Sequence, residues 1–355
     1  MAHCDWLSLK LDRRVCYDWP GWALLQDYGD RILRVCPKTG EVRWETWAWD
    51  NIRSDSHQVS FRCDGGFIYL HGSPARVMGS GDTVFGDPGA GSDLAACAWA
   101  MIGFMAAQLG LSEVPGLSYW TCTRADVTCN YDLGSLGNVR VAVQELRNVT
   151  EGRYRVSHQD GDSLYFNRRS EYKTLLIYQK GPHLRHLMKQ ESYTGLRYSD
   201  SDLVLADRLL RFELKLKSKF FAGLRKEGQK WYELPWSFFE DAHTDYLSHL
   251  IGDLSSDDMT TILDALRKLP DPTGRHQFIT EAYVNAVYRT YALISKEGLE
   301  RARSTLPQNT YYRHIRCLKA IGLSPGDLAV GRIISFRRPM LLKPVNSWAE
   351  LRKAA

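Results

Sequence analysis

Apolar and polar positions alternate with a period of two along several short stretches of this chain, and that spacing predicts strands. Residues 6–11, 42–49, 58–62 and 67–70 read this way, with turn-forming residues between them. A Gly-rich loop spans 79–91, and Ser92 or Asp93 then caps a helix to about residue 109. That helix is apolar nearly all round, which predicts burial against a sheet. Strands at 122–128, 153–157, 163–167, 175–180 and 211–217 follow, with helices near 136–147 and 183–190. After Phe221 the pattern changes, and helical spacing holds from 235 to 325. Leu247, Leu250, Ile251 and Leu254 form one apolar face there, and Met259, Ile262, Leu263 and Leu266 another. The expectation is an α+β protein: an N-terminal mixed sheet with packed helices over 1–225, then a mainly α-helical C-terminal domain over 226–355.

Charge adds a partner. The net charge is only +5, but residues 165–226 hold 14 Lys/Arg against 6 Asp/Glu, and residues 301–355 hold 11 against 2. Two basic regions on an otherwise acidic chain point to surfaces that meet a polyanion. Eight cysteines show no C-x-x-C pairing, which argues against a zinc site and for buried thiols in a reducing cytoplasm. No basic region followed by an apolar core marks the N-terminus for export, and the longest apolar run, 94–107, is too short to span a membrane. The Gly-rich loop lacks the G-x-x-x-x-G-K-[ST] pattern of an ATP-binding P-loop, and nothing points to a small-molecule substrate.

Three strand segments carry candidate chemistry: Cys122-Thr-Arg-Ala-Asp-Val-Thr128, Leu175-Leu-Ile-Tyr-Gln-Lys180 and Arg211-Phe-Glu-Leu-Lys-Leu-Lys217. Residues two apart on a strand share a face. Arg124, Asp126 and Thr128 therefore project together, as do Arg211, Glu213, Lys215 and Lys217, and Leu176, Tyr178 and Lys180. If the strands are neighbours, Asp126, Glu213 and Tyr178 converge on a basic face. Carboxylate oxygens suit Mg²⁺ or Mn²⁺, which polarises a phosphate oxygen. A phenol near pKa 10 is a poor nucleophile at neutral pH unless assisted, and Lys180 and the metal favour the phenolate. His183 reads as a metal ligand or proton carrier, or as a surface histidine. Asp82, in the loop, reads as a third acidic ligand or as a turn former. The basic neighbours Arg124, Arg211, Lys215 and Lys217, with Arg168 and Arg169 beside Tyr165, would hold a DNA backbone. Near the C-terminus, Gln308-Asn-Thr-Tyr-Tyr-Arg-His-Ile-Arg-Cys-Leu-Lys319 predicts a short basic helix whose Arg313, Arg316 and Lys319 face a duplex, resembling the second helix of a helix-turn-helix. Arg337, Arg338 and Lys343 would add phosphate contacts.

At these residues the chain resembles the gene II/X family of replication initiators from filamentous bacteriophages. The likeness rests on Gly72-Ser-Pro-Ala-Arg76 with Val84-Phe-Gly86, on Thr123-Arg-Ala-Asp126, on Leu146-Arg-Asn-Val149, on Thr174-Leu-Leu-Ile-Tyr-Gln-Lys180, on Arg211-Phe-Glu213, and on Leu306-Pro-Gln-Asn-Thr-Tyr-Tyr-Arg313. The resemblance implies a Rep-type nuclease domain that nicks one strand of the phage origin. It also implies a 5′ phosphate held on Tyr178, a 3′-OH that primes the host polymerase, and later rejoining of the displaced strand. Its implied partners are double-stranded origin DNA, the displaced single strand, and host helicase and polymerase in the bacterial cytoplasm. Two positions depart from the family pattern. Gly81-Asp82-Thr83 stands where the family has G-H-N, and His183 stands where it has an acidic residue, implying that histidine and carboxylate exchange places as ligands. Two other classes remain in view: a DNA-binding regulator that needs neither metal nor Tyr178, and a tyrosine recombinase, whose His-x-x-Arg and late tyrosine are missing.

Overall fold

The structure, a computed structural model, describes residues 2–25, 28–53, 58–78, 81–86, 90–147, 156–160, 163–191, 193, 195–251, 259–272, 274, 276–323, 328 and 344–353. Strands β1 (His3–Asp12), β2 (Arg31–Val35), β3 (Val42–Trp47), β4 (Asp50–Arg53), β5 (Gln58–Cys63) and β6 (Phe67–Gly72) come first. They are followed by β7 (Trp120–Asp132), β8 (Val156–Asp160), β9 (Ser163–Phe166), β10 (Lys173–Gln179), β11 (Leu209–Lys217) and β12 (Pro344–Val345). The main sheet runs β4-β5-β6-β1-β7-β11-β10-β9-β8, with β12 added on β7, while β2 and β3 pair separately. The expected α+β class holds. The strand directions differ from the expected mixture: every described pairing is antiparallel.

The period-2 alternation gives this sheet two unlike faces. On one side Leu7, Leu9 and Leu11 of β1, Val127 of β7, Phe212 and Leu214 of β11, and Ile177 of β10 lie in a continuous core. Helices α2 (Leu94–Leu109), α3 (Leu136–Arg147), α6 (Ser218–Lys226) and α7 (Trp236–Ile251) cover that side. Helix α2 starts where the Asp93 carboxylate accepts the amides of Ala95 and Ala96 and stops at Gly110 in the left-handed region, φ 67°. Its buried Cys97, Met101, Ile102 and Met105 rest on the sheet, as its apolar sequence predicts.

On the other face the chain places its charged residues, and three short elements border it. Helices α4 (Lys180–Met188) and α5 (Asp200–Ala206) and the C-terminal α12 (Trp348–Lys353) share a small core with Val84 and Phe85 of the Gly-rich loop. Helix α1 (Gly21–Leu25) puts Trp22 and Leu25 in the main core. A second core forms among α8 (Met259–Arg267), α9 (Glu281–Glu297), α10 (Leu299–Thr305) and α11 (Gln308–Ala320). Helix α7 belongs to the first core through Phe239, Leu247 and Leu250, and the second begins at Ile262. The periodicity missed β2, β4, β12, α1, α5, α6 and α12. Each is short, so few residues repeat before the element ends. Residues 153–155, 148–149 and 324–327, and Arg337, Arg338 and Lys343, lie outside the described residues.

Candidate active site

Sheet order and register bring the three candidate segments together. Strands β7, β11 and β10 are consecutive. Thr128, Glu213, Leu176 and Tyr165 form one cross-strand row, Asn130, Arg211 and Tyr178 the next, and Trp6, Asp126 and Lys215 a third. All lie on the face opposite the core, and Trp6, Asp126, Tyr165, Leu176, Tyr178, Glu213 and Lys215 of these rows border a cleft of about 510 Å³. Asp5, Trp6, Arg124, Asp126, Tyr178, Lys180, His183, Glu213 and Lys215 line it.

Tyr178 and Glu213 are in direct contact. The phenol donates to the Glu213 carboxylate at 2.5 Å, deep enough that Tyr178 is 6% exposed. Burial raises the Tyr178 pKa well above its usual value; Arg211 opposes this, and Glu213 adds to it. Burial likewise raises Glu213, helped by Asp5 and opposed by Arg211 and Lys215. Asp126 is gripped by Arg124 through two bonds of 2.7 and 2.5 Å. Lys215 lies 3.7 Å from both Asp126 and Glu213, so one ammonium stands between the two carboxylates.

The strand expected to carry Lys180 ends at Gln179, and Lys180 instead opens α4. Its side chain is buried all the same, and the ammonium donates to the Thr83 carbonyl at 3.2 Å. Burial, then Arg211, brings its pKa down to about 7. The next turn of α4 sets His183 edge-on to Tyr178, with ring centroids 4.7 Å apart. Burial and Lys180 lower His183 to about 3, so the ring is neutral, and its buried Nδ1 has no hydrogen-bond partner among the described residues.

Arg211 differs most from its expected role. Assigned from sequence to the DNA backbone, it is 0% exposed and therefore out of reach of a phosphate. One amino group donates to the carbonyls of Thr83 and Val84 at 2.9 and 3.0 Å, and the other pairs with Asp5 at 2.7 Å. It fastens the Gly-rich loop to the sheet and balances the carboxylates. Asp5 itself escaped the sequence reading. A bulge between Cys4 and Trp6 makes it the extra residue, so it joins Trp6 on the polar face. Alternation gives no signal for that, nor for His3, which faces Arg211 at 3.4 Å.

Asp82 is not among the cleft-lining residues. Its carboxylate accepts from the Tyr198 hydroxyl at 2.8 Å, the Val84 amide at 2.8 Å and the Trp348 indole at 2.9 Å. That network supports its turn-forming reading, with α12 as an added anchor. Lys217 donates to the carbonyls of Arg168 and Ser170, bracing the turn that exposes Arg168 and Arg169. On α11, Tyr311, Ile315 and Leu318 face the second core, while Arg313, Arg316 and Lys319 are exposed together.

Among the described residues no three His, Cys, Asp or Glu side chains are gathered closely enough to hold a metal ion. The donor chemistry nevertheless suits a hard divalent cation: two carboxylates, Asp126 and Glu213, and the unpartnered nitrogen of His183 line one cleft. No described helix is long and apolar enough to cross a membrane.

The chain is similar to the replication-associated protein of Enterobacteria phage M13, 25% identical over 302 residues that cover 74% of this chain and 70% of that protein. It is 24% identical to the protein of the same name from Salmonella phage IKe over 299 residues, covering 74% and 68%. The family profile that describes the N-terminal part of this replication-associated protein matches residues 5–234. That span contains every strand that lines the cleft, from Asp5 on β1 to Glu213 on β11, and the chain belongs to this family of phage replication-associated proteins.

Proposed function

We propose that this protein initiates phage replication by nicking one strand of the origin, with Tyr178 as nucleophile. The observation that carries the reading is the 2.5 Å bond from the Tyr178 phenol to Glu213 in a cleft bordered by Arg124, Lys180 and Lys215. The phenol oxygen attacks phosphorus, its proton passes to the Glu213 carboxylate, and the bond from phosphorus to the 3′ oxygen breaks. The departing oxygen takes a proton and becomes the 3′-OH, while the 5′ phosphate stays on Tyr178. A 3′-OH freed by a second cut at the regenerated origin attacks the phosphotyrosine, forms the new phosphodiester and expels the Tyr178 oxygen, which regains its proton from Glu213. Lys180, with a pKa near 7, loses or supplies a proton at neutral pH at little cost. Arg124 and Lys215 hold the phosphate, and Arg168 and Arg169 its flanks.

Mg²⁺ or Mn²⁺ would be held by Asp126, Glu213 and His183. When bound, it supplies positive charge to a non-bridging phosphate oxygen. In this reading the sheet and the elements packed on it carry the chemistry, and the second core, α8 to α11, holds duplex DNA through Arg313, Arg316 and Lys319 of α11. The setting is the cytoplasm of the bacterial host, where a polymerase extends the 3′-OH and a helicase opens the duplex.

The test uses purified full-length protein, supercoiled DNA with the phage origin, and Mg²⁺ or Mn²⁺. Wild type gives nicked DNA and a protein linked to the 5′ end; Tyr178→Phe gives neither. Nicking that survives in Tyr178→Phe moves the nucleophile elsewhere, Tyr165 first. Binding of the origin without cleavage under either metal makes the protein a regulator.

A further inference from the structure

The polar face of the sheet continues beyond the cleft, and there its chemistry changes. Across β1, β6 and β5 the carboxylates give way to aromatic rings and cations. Ser8 lies opposite both Arg124 and His71, Lys10 opposite Tyr69, and Tyr69 opposite Arg62, so these side chains share the face of Asp126. They interleave. The Arg124 guanidinium lies 5.5 Å from the Trp6 ring, and Trp6 lies 5.6 Å from His71. Trp49 stacks on His71 at 4.1 Å and 24°. Arg62 sits 4.8 Å from Trp49 and 4.3 Å from Tyr69, and Lys10 sits 3.6 Å from Phe67 and 5.4 Å from Tyr69.

These groups reach solvent. Trp49 is 40% exposed, and Trp6, Lys10, Arg62, Tyr69 and His71 are half-buried. The core of the same strands is filled from the opposite face by Leu7, Leu9, Phe61 and Leu70. Filling the core therefore does not explain the rings. Trp6 and His71 also line the cleft, so the ladder begins where the candidate chemistry ends. The Arg62 Nε is shielded and has no hydrogen-bond partner among the described residues.

We propose that this ladder binds single-stranded DNA entering or leaving the cleft, with bases stacked on Trp49, Tyr69 and Trp6 and phosphates against Lys10, Arg62 and Arg124. The inference rests on the nicking reading for its biological setting, and on its own chemistry for the partner. Rings alternating with cations on an open sheet match a strand whose base faces are bare and whose backbone is anionic. A duplex hides those base faces and would leave the rings without a role. A protein partner would favour a ring cluster depleted of charge at its centre, not one with a cation beside nearly every ring. Burial, Arg124 and Arg62 lower the pKa of His71, so this ring stacks as a neutral group.

The experiment measures binding of a labelled short single-stranded oligonucleotide, and of its duplex, by fluorescence anisotropy. It uses full-length wild type, Trp49→Ala and Arg62→Gln in the presence of a chelator, so that cleavage does not enter. Trp49→Ala is expected to weaken single-strand binding about tenfold while leaving duplex binding within about twofold. Arg62→Gln should weaken single-strand binding and flatten its salt dependence by about one unit of slope. The proposal is overturned if wild type does not bind the single strand, if both variants bind it like wild type, or if single strand and duplex weaken equally. A wild type that never nicks, but whose single-strand binding drops in both variants, ends the nicking reading and leaves the ladder standing.

Discussion

Arg211 and the α11 arginines are the same residue type in opposite settings. Arg211 is fully buried, with carbonyls and a carboxylate for partners, whereas Arg313 and Arg316 lie exposed on a helix whose other side faces a core. In sequence all three read as cations for DNA. The structure separates them: a buried guanidinium organises the site from inside, and an exposed one is available to a ligand. Burial decides which, because a charge removed from water must be matched within the protein.

Arg211→Ala is the most direct way to break that contrast. It removes the buried cation that pairs with Asp5, neighbours Glu213 and holds the Thr83 and Val84 carbonyls, so stability should fall by about 3–5 kcal/mol, read by urea unfolding. A loss below about 1 kcal/mol would mean that the buried network is not what organises this face.

Acid should act on the interior next. His243 on α7 is buried, and burial lowers its pKa to about 4. Its folded pKa lies below the unfolded value of 6.5, so the native state binds fewer protons between them. Stability is therefore retained above about pH 6.5 and lost as pH falls towards about 4, by about 3 kcal/mol in all. His3, lowered to about 3 by burial and Arg211, acts in the same direction. His243→Gln should make urea midpoints less steep across that window; an unchanged slope would place the acid response elsewhere.

Trp348→Ala probes how the loop is held. It removes the indole bond to Asp82 and the edge contact with Phe85, 5.2 Å between centroids. Stability should fall by about 1–3 kcal/mol, since Asp82 loses a donor in a buried setting. The loop carbonyls that hold Arg211 and Lys180 loosen with it, so nicking should fall as well. Full activity in Trp348→Ala would detach α12 from the site.

Arg316→Ala should have the smallest effect on the fold, within about 0.5 kcal/mol. Its effect belongs to DNA: weaker duplex binding and a salt slope reduced by about one. A large stability loss would place Arg316 with Arg211 and erase the comparison.

Much of this site was legible in advance. Alternation in β7 and β11 placed Arg124 with Asp126 and Glu213 with Lys215, because side chains two apart on a strand must share a face. The strand-to-helix junction at Gln179–Lys180 was not legible, since Tyr-Gln-Lys-Gly fits either period. Asp5 was hidden by a bulge, which is a property of pairing between strands and leaves no mark on either one alone. Asp82 looked equally suited to a metal and to a turn, and its bonds to Tyr198 and Trp348 come from residues more than a hundred positions away.

By itself the sequence determined the two-faced strands, the apolar α2, the second helical core and the residue types on the polar face. These follow from local periodicity and from the transfer of apolar side chains out of water. The tertiary structure decided which strands are neighbours, and so that Asp126, Tyr178 and Glu213 meet. It also decided which cations are buried and which loop closes over them. Those outcomes depend on contacts between distant segments, and desolvation assigns a charge its role only once its neighbours are in place.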